Sequence, residues 1–270
     1  MFVLLHAMTR RVTSSTPQKR PLPPVGWAIL VGLLVLIGGG IWYYNRLNIN
    51  GWRHVSKLGI RLPMKFQIHG IDISKHNGRI DWNNLRAMRF EDIRLQFVYI
   101  KATEGTSLMD KDFKTSWQKA DEVGLYRGAY HFYIPWKAPE PQFENFKKLV
   151  KLKRGDLPPV LDFEVGTNVY TREQVVANVA TWLRLAENYY GVRPIIYTNA
   201  DFYRRYIKDN LDQYPLWIAD YSGWTLDRYD DAKIHFWQHS KSGYVNGIRG
   251  TVDYNVFLGE VEDLKQLCVK

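Results

Sequence analysis

In the stretch Leu157 to Val165, LPPVLDFEV, two acids stand one residue apart at the end of an otherwise apolar run. Side chains at i and i+2 of a strand point to the same face, so Asp162 and Glu164 look into one space. Two carboxylates held that close resist double ionisation, and one proton becomes hard to remove. The carboxyl that keeps its proton is a donor, and its ionised neighbour is a fixed negative charge. Apolar surroundings make such a pair costly, which argues for a chemical task rather than for packing.

Five further polar residues fall at or near the C-terminal ends of predicted strands: Asp72, Tyr130, His131, Gln238 and Asp253. Each alone has a plain alternative. Asp72 precedes Ser74 and a turn at Asn77-Gly78, where an acid caps. His131 suits a satisfied core histidine, and the rings of YHFY suit packing. The chain has no His-x-x-x-His spacing or clustered ligand pattern, and one cysteine, Cys268. No metal and no cofactor is expected, and no internal disulfide is available.

The elements that must position these groups read as strands at 69–74, 94–101, 126–133, 157–164, 193–198, 214–219, 233–238 and 250–255. Helices fit 81–90, 110–123, 140–151, 171–190 and 199–208, with Thr171 and Gln174 as a capping box opening the longest. Eight strands with about five helices predict an α/β fold, an irregular (β/α) TIM-like barrel. Its strands are expected to be parallel and its second half degenerate, because the later connections are too short for full helices. In such a barrel the C-terminal strand ends gather at one face, where the reacting groups sit.

The arm before the barrel differs in composition. The formal net charge is +10, yet residues 1–65 hold nine Lys/Arg and no acid, leaving 28 basic against 27 acidic residues in the remainder. The near-neutral body carries no electrostatic footprint for phosphate, which excludes nucleic acid as its partner. Gly26 to Tyr44 is a 19-residue stretch without charge. It is long enough to span roughly 28 Å, with Trp27 and Trp42-Tyr43-Tyr44 as interfacial aromatics. The expected organisation is a basic cytoplasmic leader (1–25), a transmembrane signal anchor (26–44), a basic linker (45–65) and the barrel (66–270). A cleaved signal peptide is the rival reading, with Gly38-Gly39-Gly40 as the small residues.

Taken in order, GIDISKHNGRIDW, FVYIKATEG, GAYHFY, LPPVLDFE, IIYTN, LWIADY, FWQHS and VNGIRGTVDYNVF resemble the successive blocks of the glycoside hydrolase family 25 muramidases, a class of lysozyme. The resemblance covers about residues 69–258. It implies an irregular (β/α) barrel that cleaves the β-1,4 bond after N-acetylmuramic acid in peptidoglycan. Together with the apolar span, that activity makes a single-pass inner-membrane protein the expectation, with the barrel facing the periplasm or cell wall. Glycoside cleavage needs an acid for the leaving oxygen and an anion for the oxocarbenium-like centre. Glu164, nearer the strand end, is expected as general acid, with Asp162 supplying the charge that keeps it protonated. The D-x-E order is similar to that of substrate-assisted glycosidases, where the substrate's N-acetyl oxygen attacks; a direct nucleophile or an inverting water remain open. By the same resemblance Asp72 orients substrate and Asp253 lines the pocket. Tyr130, His131, Tyr197, Trp217, Tyr221, Trp237 and Gln238 are expected to contact sugar, since ring faces suit pyranose C–H groups. Two other classes stay in view: a non-catalytic peptidoglycan-binding protein, and a chitinase-like glycosidase with the same D-x-E logic.

Overall fold

The computed structural model describes residues 24–49, 51–90, 93–229 and 232–270, so nearly all of the expected leader lies outside the described residues. The chain divides into two compact units, Met1–Arg46 and Leu47–Lys270. Helix α1 (Pro24–Ile49) carries the apolar stretch; its window Val25–Tyr44 has a mean hydropathy of 2.2 and is not buried.

The second unit opens with a hairpin, β1 (Trp52–Val55) and β2 (Ile60–Pro63), in the segment expected to be a linker. Trp52, Val55, Leu58, Ile60 and Leu62 are all buried, and the Leu58 carbonyl accepts a 2.8 Å hydrogen bond from Tyr244 N–H. Arg53, His54 and Arg61 point outward. The basic residues that suggest a linker are therefore the solvent face of a packed element.

The barrel strands are β3 (Ile68–Ile73), β4 (Leu95–Glu104), β6 (Tyr126–Phe132), β7 (Val160–Asp162), β8 (Ile195–Asn199), β9 (Leu216–Ala219), β10 (Ile234–Gly243) and β11 (Val252–Phe257), with a short β5 (Leu108–Met109) on the end of β4. They hydrogen-bond in chain order, and β11 returns to β3, closing eight strands. All eight expected strands are present. The parallel expectation holds from β3 to β10 and fails at β11, which is antiparallel to both neighbours. The reason is length: a parallel crossover needs about a dozen or more residues, and only residues 244–251 join β10 to β11.

Around the barrel lie α2 (Trp82–Ala87), α3 (Phe113–Glu122), α4 (Pro139–Leu149), α5 (Arg172–Tyr190), α6 (Ala200–Phe202, running into a π turn at Tyr203–Ile207) and an unanticipated α7 (Val261–Leu267). The Thr171–Gln174 capping box opens α5, and Gly191 closes it in the left-handed region.

Strand alternation divides the core into two. Ile68, Phe97, Tyr99, Trp217, Phe236 and Phe257 fill the barrel interior. Their sequence neighbours, such as Val98, Ile100, Leu161 and Phe163, face the helices with Phe146, Trp182 and Leu183. Two glycines make room for the interior rings. A Cβ on Gly128 would stand 2.0 Å from the Tyr99 ring, and one on Gly70 would stand 2.5 Å from Phe97. This aromatic plug is the floor on which the polar strand ends rest.

Candidate active site

At the C-terminal end of the barrel a cavity of about 190 Å³ is lined by Asp72, Lys101, Tyr130, Phe132, Asp162, Glu164, Tyr197, Trp217 and Asp253, among others. The alternation that points Phe97 and Tyr99 inward brings Lys101 to the cavity; Val160 similarly leads to Asp162. Asp162 is the last residue of β7, and Glu164 follows in the loop, half-buried. Asp253 and Asp72 face one another across the β11–β3 ladder.

Hydrogen bonds tie these groups into one network. Asp72 Oδ1 accepts from Gln238 Nε2 at 2.9 Å and from Asn255 Nδ2 at 2.7 Å. Gln238 Oε1 accepts from the hydroxyls of Tyr197, at 2.9 Å, and Tyr221. Trp217 Nε1 donates to Asn255 Oδ1 at 2.8 Å. Gln238 thus orients Asp72 and is itself buried, while Tyr221, 47% exposed, stands at the rim.

Two expected contacts lie elsewhere. His131 has the opposite strand parity to Tyr130 and Phe132 and faces the helices. It is bonded to Thr103 Oγ1 at 2.7 Å and Gln142 Oε1 at 3.3 Å, and it stacks on Trp182. Trp237 alternates with Gln238 in the same way. It packs outside the barrel against Trp52, its Nε1 donating to the Asp220 carbonyl at 2.9 Å. Neither reaches the cavity. Conversely, Lys101 and Asn255 are cavity and network residues that the sequence reading passed over; their parity with Tyr99 and Asp253 is the signal that marks them.

Burial raises every acid in this network. Asp162 is held well above the usual carboxylate range by burial and then by the charge of Glu164, with Lys101 opposing. Its Oδ1 is buried with no hydrogen-bond partner. Glu164 is raised by burial and then by Asp253, again opposed by Lys101. Asp72 is raised well above the usual range by burial and by Asp253, and a hydrogen bond between those carboxyls leaves the proton on Asp72. Asp162 is deeper than Glu164, and the charge of Asp253 adds to burial in favouring the protonated form of Glu164.

A wider cleft of about 1300 Å³ near Arg79 and Arg249 offers no comparable acid pair. Its Asp81 caps α2, and its Glu122 is bound to Lys119. Among the described residues no group of three or more His, Cys, Asp or Glu is arranged to hold a metal.

Comparison with known proteins agrees with this architecture. Residues 71–248 match the profile of glycosyl hydrolases family 25. The chain is 42% identical over 219 residues to the protein YegX of Escherichia coli K12, covering 81% of this chain and 80% of that one. It is 32% identical over 188 residues to the autolytic lysozyme of Clostridium acetobutylicum, covering 70% of this chain and 55% of that one. The structure of a family 25 glycosyl hydrolase from Bacillus anthracis superposes with a TM-score of 0.68 at 30% identity, over 80% of this chain and 96% of that one. An eight-strand barrel with its acids gathered at one mouth and a profile match across most of that barrel lead to one assignment: the chain belongs to glycosyl hydrolase family 25 and is a glycoside hydrolase.

Proposed function

We propose that the protein is a muramidase that hydrolyses the β-1,4 bond after N-acetylmuramic acid in peptidoglycan, with Glu164 as general acid. The observation that carries this reading is the pairing of a half-buried, proton-retaining Glu164 with a fully buried Asp162 whose Oδ1 lacks a donor. Glu164 gives its proton to the glycosidic oxygen as the bond to the anomeric carbon breaks. The substrate's acetamido oxygen attacks that carbon, and its N–H meets Asp162 Oδ1. Water then opens the cyclic intermediate, its proton passing to the Glu164 carboxylate. Lys101 offsets the charge left on Glu164. Asp72, fixed by Gln238 and Asn255, orients the sugar, with Tyr130, Tyr197 and Trp217 as its walls and Asp253 lining the same pocket.

We further infer that α1 anchors the enzyme in the inner membrane with its N-terminus in the cytoplasm and the barrel on the wall side. Its length, its apolar composition and the basic leader support this. Digestion of purified peptidoglycan, borohydride reduction and identification of the reduced sugar tests the activity: muramicitol is expected. Glucosaminitol, or release of sugar from chitin alone, would refute it.

A further inference from the structure

Beside the cavity runs a second cleft, of about 300 Å³, which the hairpin β1–β2 builds against the segment after β9 and the end of β10. The hairpin lies outside the residues that match the family profile. Two exposed rings and two exposed cations dominate the cleft and its edge. Trp224 is 45% and Tyr221 47% exposed. The Arg61 guanidinium lies 4.9 Å from the centroid of Trp224, and Lys241 Nζ lies 5.5 Å from that of Tyr221. Trp52 fixes the far wall, its Nε1 donating to the Trp224 carbonyl at 2.7 Å.

Three observations distinguish this cleft from ordinary surface. Tyr221 belongs to both regions: its ring borders the cleft while its hydroxyl donates to Gln238, which donates in turn to Asp72. A ligand seated on Tyr221 is therefore continuous with one in the cavity. Next, neither Arg61 nor Lys241 is held by a carboxylate in an ion pair among the described residues, whereas Arg127, Lys153 and Arg193 each have a carboxylate within 3.1 Å. Finally, no acid lines the cleft, although four surround the cavity. An acid-lined cavity and an acid-free cleft edged by cations thus adjoin over a short distance.

A neutral sugar strand has no use for two unpaired cations. We propose that this cleft receives the carboxylate-bearing peptide substituent of the glycan, read by Arg61 and Lys241 and seated against Tyr221 and Trp224. The proposal rests on the peptidoglycan reading of the cavity. It makes the enzyme selective for peptide-substituted over bare glycan, through a hairpin that supplies one of the two cations.

The test uses full-length protein in detergent micelles carrying Glu164→Gln, so that ligand is bound but not consumed. Calorimetry compares a muramic-acid-containing disaccharide with its acidic peptide attached, the same disaccharide without peptide, and a form whose peptide carboxylates are amidated. The peptide-bearing ligand should bind about fivefold tighter, what two exposed charge pairs supply, and raising salt to about 0.5 M should remove the margin. Arg61→Met and Lys241→Met together should abolish the margin while leaving affinity for the bare disaccharide unchanged, and Arg61→Lys should restore part of it. Because Arg61 sits on a packed hairpin, Lys241→Met alone is the second variant and should lose about half the margin. Equal affinity for all three ligands, or equal weakening toward all three, would overturn the proposal while leaving the muramidase reading in place. Failure to bind any of the sugars would overturn both.

Discussion

The mouth of the barrel and the shell around it both bury titratable groups, and burial moves them in opposite directions. In the mouth, Asp72, Asp162, Glu164 and Asp253 are all raised, with burial as the first cause of each. In the shell, His69 is lowered to about 4, and His131 and His239 to about 3, again by burial first. Burial favours the neutral form of either type, so acids retain protons and histidines shed them. The mouth consequently keeps protons at a pH where carboxylates are ordinarily bare, while the shell histidines are uncharged.

The largest effect that separates the regions is on turnover. Glu164→Gln should reduce release of reducing ends by about 10²- to 10⁴-fold, the range for loss of a positioned acid. His131→Gln, per folded molecule, should leave turnover within about twofold. Equal losses would place His131 back among the groups that act on substrate.

Next in size is the hairpin. Leu62 is fully buried, and Leu62→Ala should destabilise the barrel unit by about 2–5 kcal/mol in denaturant melts. A chain beginning at Lys65 omits Trp52, Val55, Leu58, Ile60 and Leu62 together, and it should aggregate or melt at a markedly lower temperature. Wild-type stability in that shortened chain would return the segment to the status of a linker.

A smaller effect has the sign that links function to stability. The carboxyls of the mouth have folded pKa values raised above their unfolded ones. Their contribution to stability is therefore present below about pH 4 and is lost as pH rises through the folded values. Asp162→Asn should lower turnover yet raise Tm at pH 7.5, an advantage that disappears near pH 4. A Tm unchanged or lowered at pH 7.5 would show that Asp162 is stabilised as an anion.

The smallest effect runs the other way. The shell histidines have lowered folded values, so the stability they contribute is present above about 6.5 and is lost as pH falls toward 4. His239→Gln should flatten the acid limb of a Tm-against-pH curve below pH 6.5. An unaltered limb would assign it to other groups.

The same contrast marks what the sequence discloses. All eight strands are legible because each combines β-rich composition with a polar group at its end, and α5 is legible from its capping box. The direction of β11 depends on a short connection rather than on any local preference. The hairpin escapes because WRHV and IRLP are four residues each, with basic residues that read as linker chemistry. His131 and Trp237 are misplaced by proximity to real cavity residues, when period-two alternation assigns them to the far face. The difference in depth between Asp162 and Glu164, which shapes their proton balance, comes from the tertiary fold and is not encoded in residue spacing. Asp253, nearly a hundred residues away in the chain, enters that balance only through the β3–β11 pairing.

The most direct test of the account is a carbon-13 carboxyl titration of the full-length protein in micelles, labelled in turn at glutamate and aspartate, with Glu164→Gln to assign the signals. Glu164 should titrate above its ordinary value of 4.5, and Asp162 above the ordinary aspartate range. Removing the Glu164 charge should bring the Asp162 midpoint down. A Glu164 midpoint at or below 4.5, or an Asp162 midpoint that stays fixed in Glu164→Gln, would contradict the claim that this mouth holds its proton ready for the glycosidic oxygen.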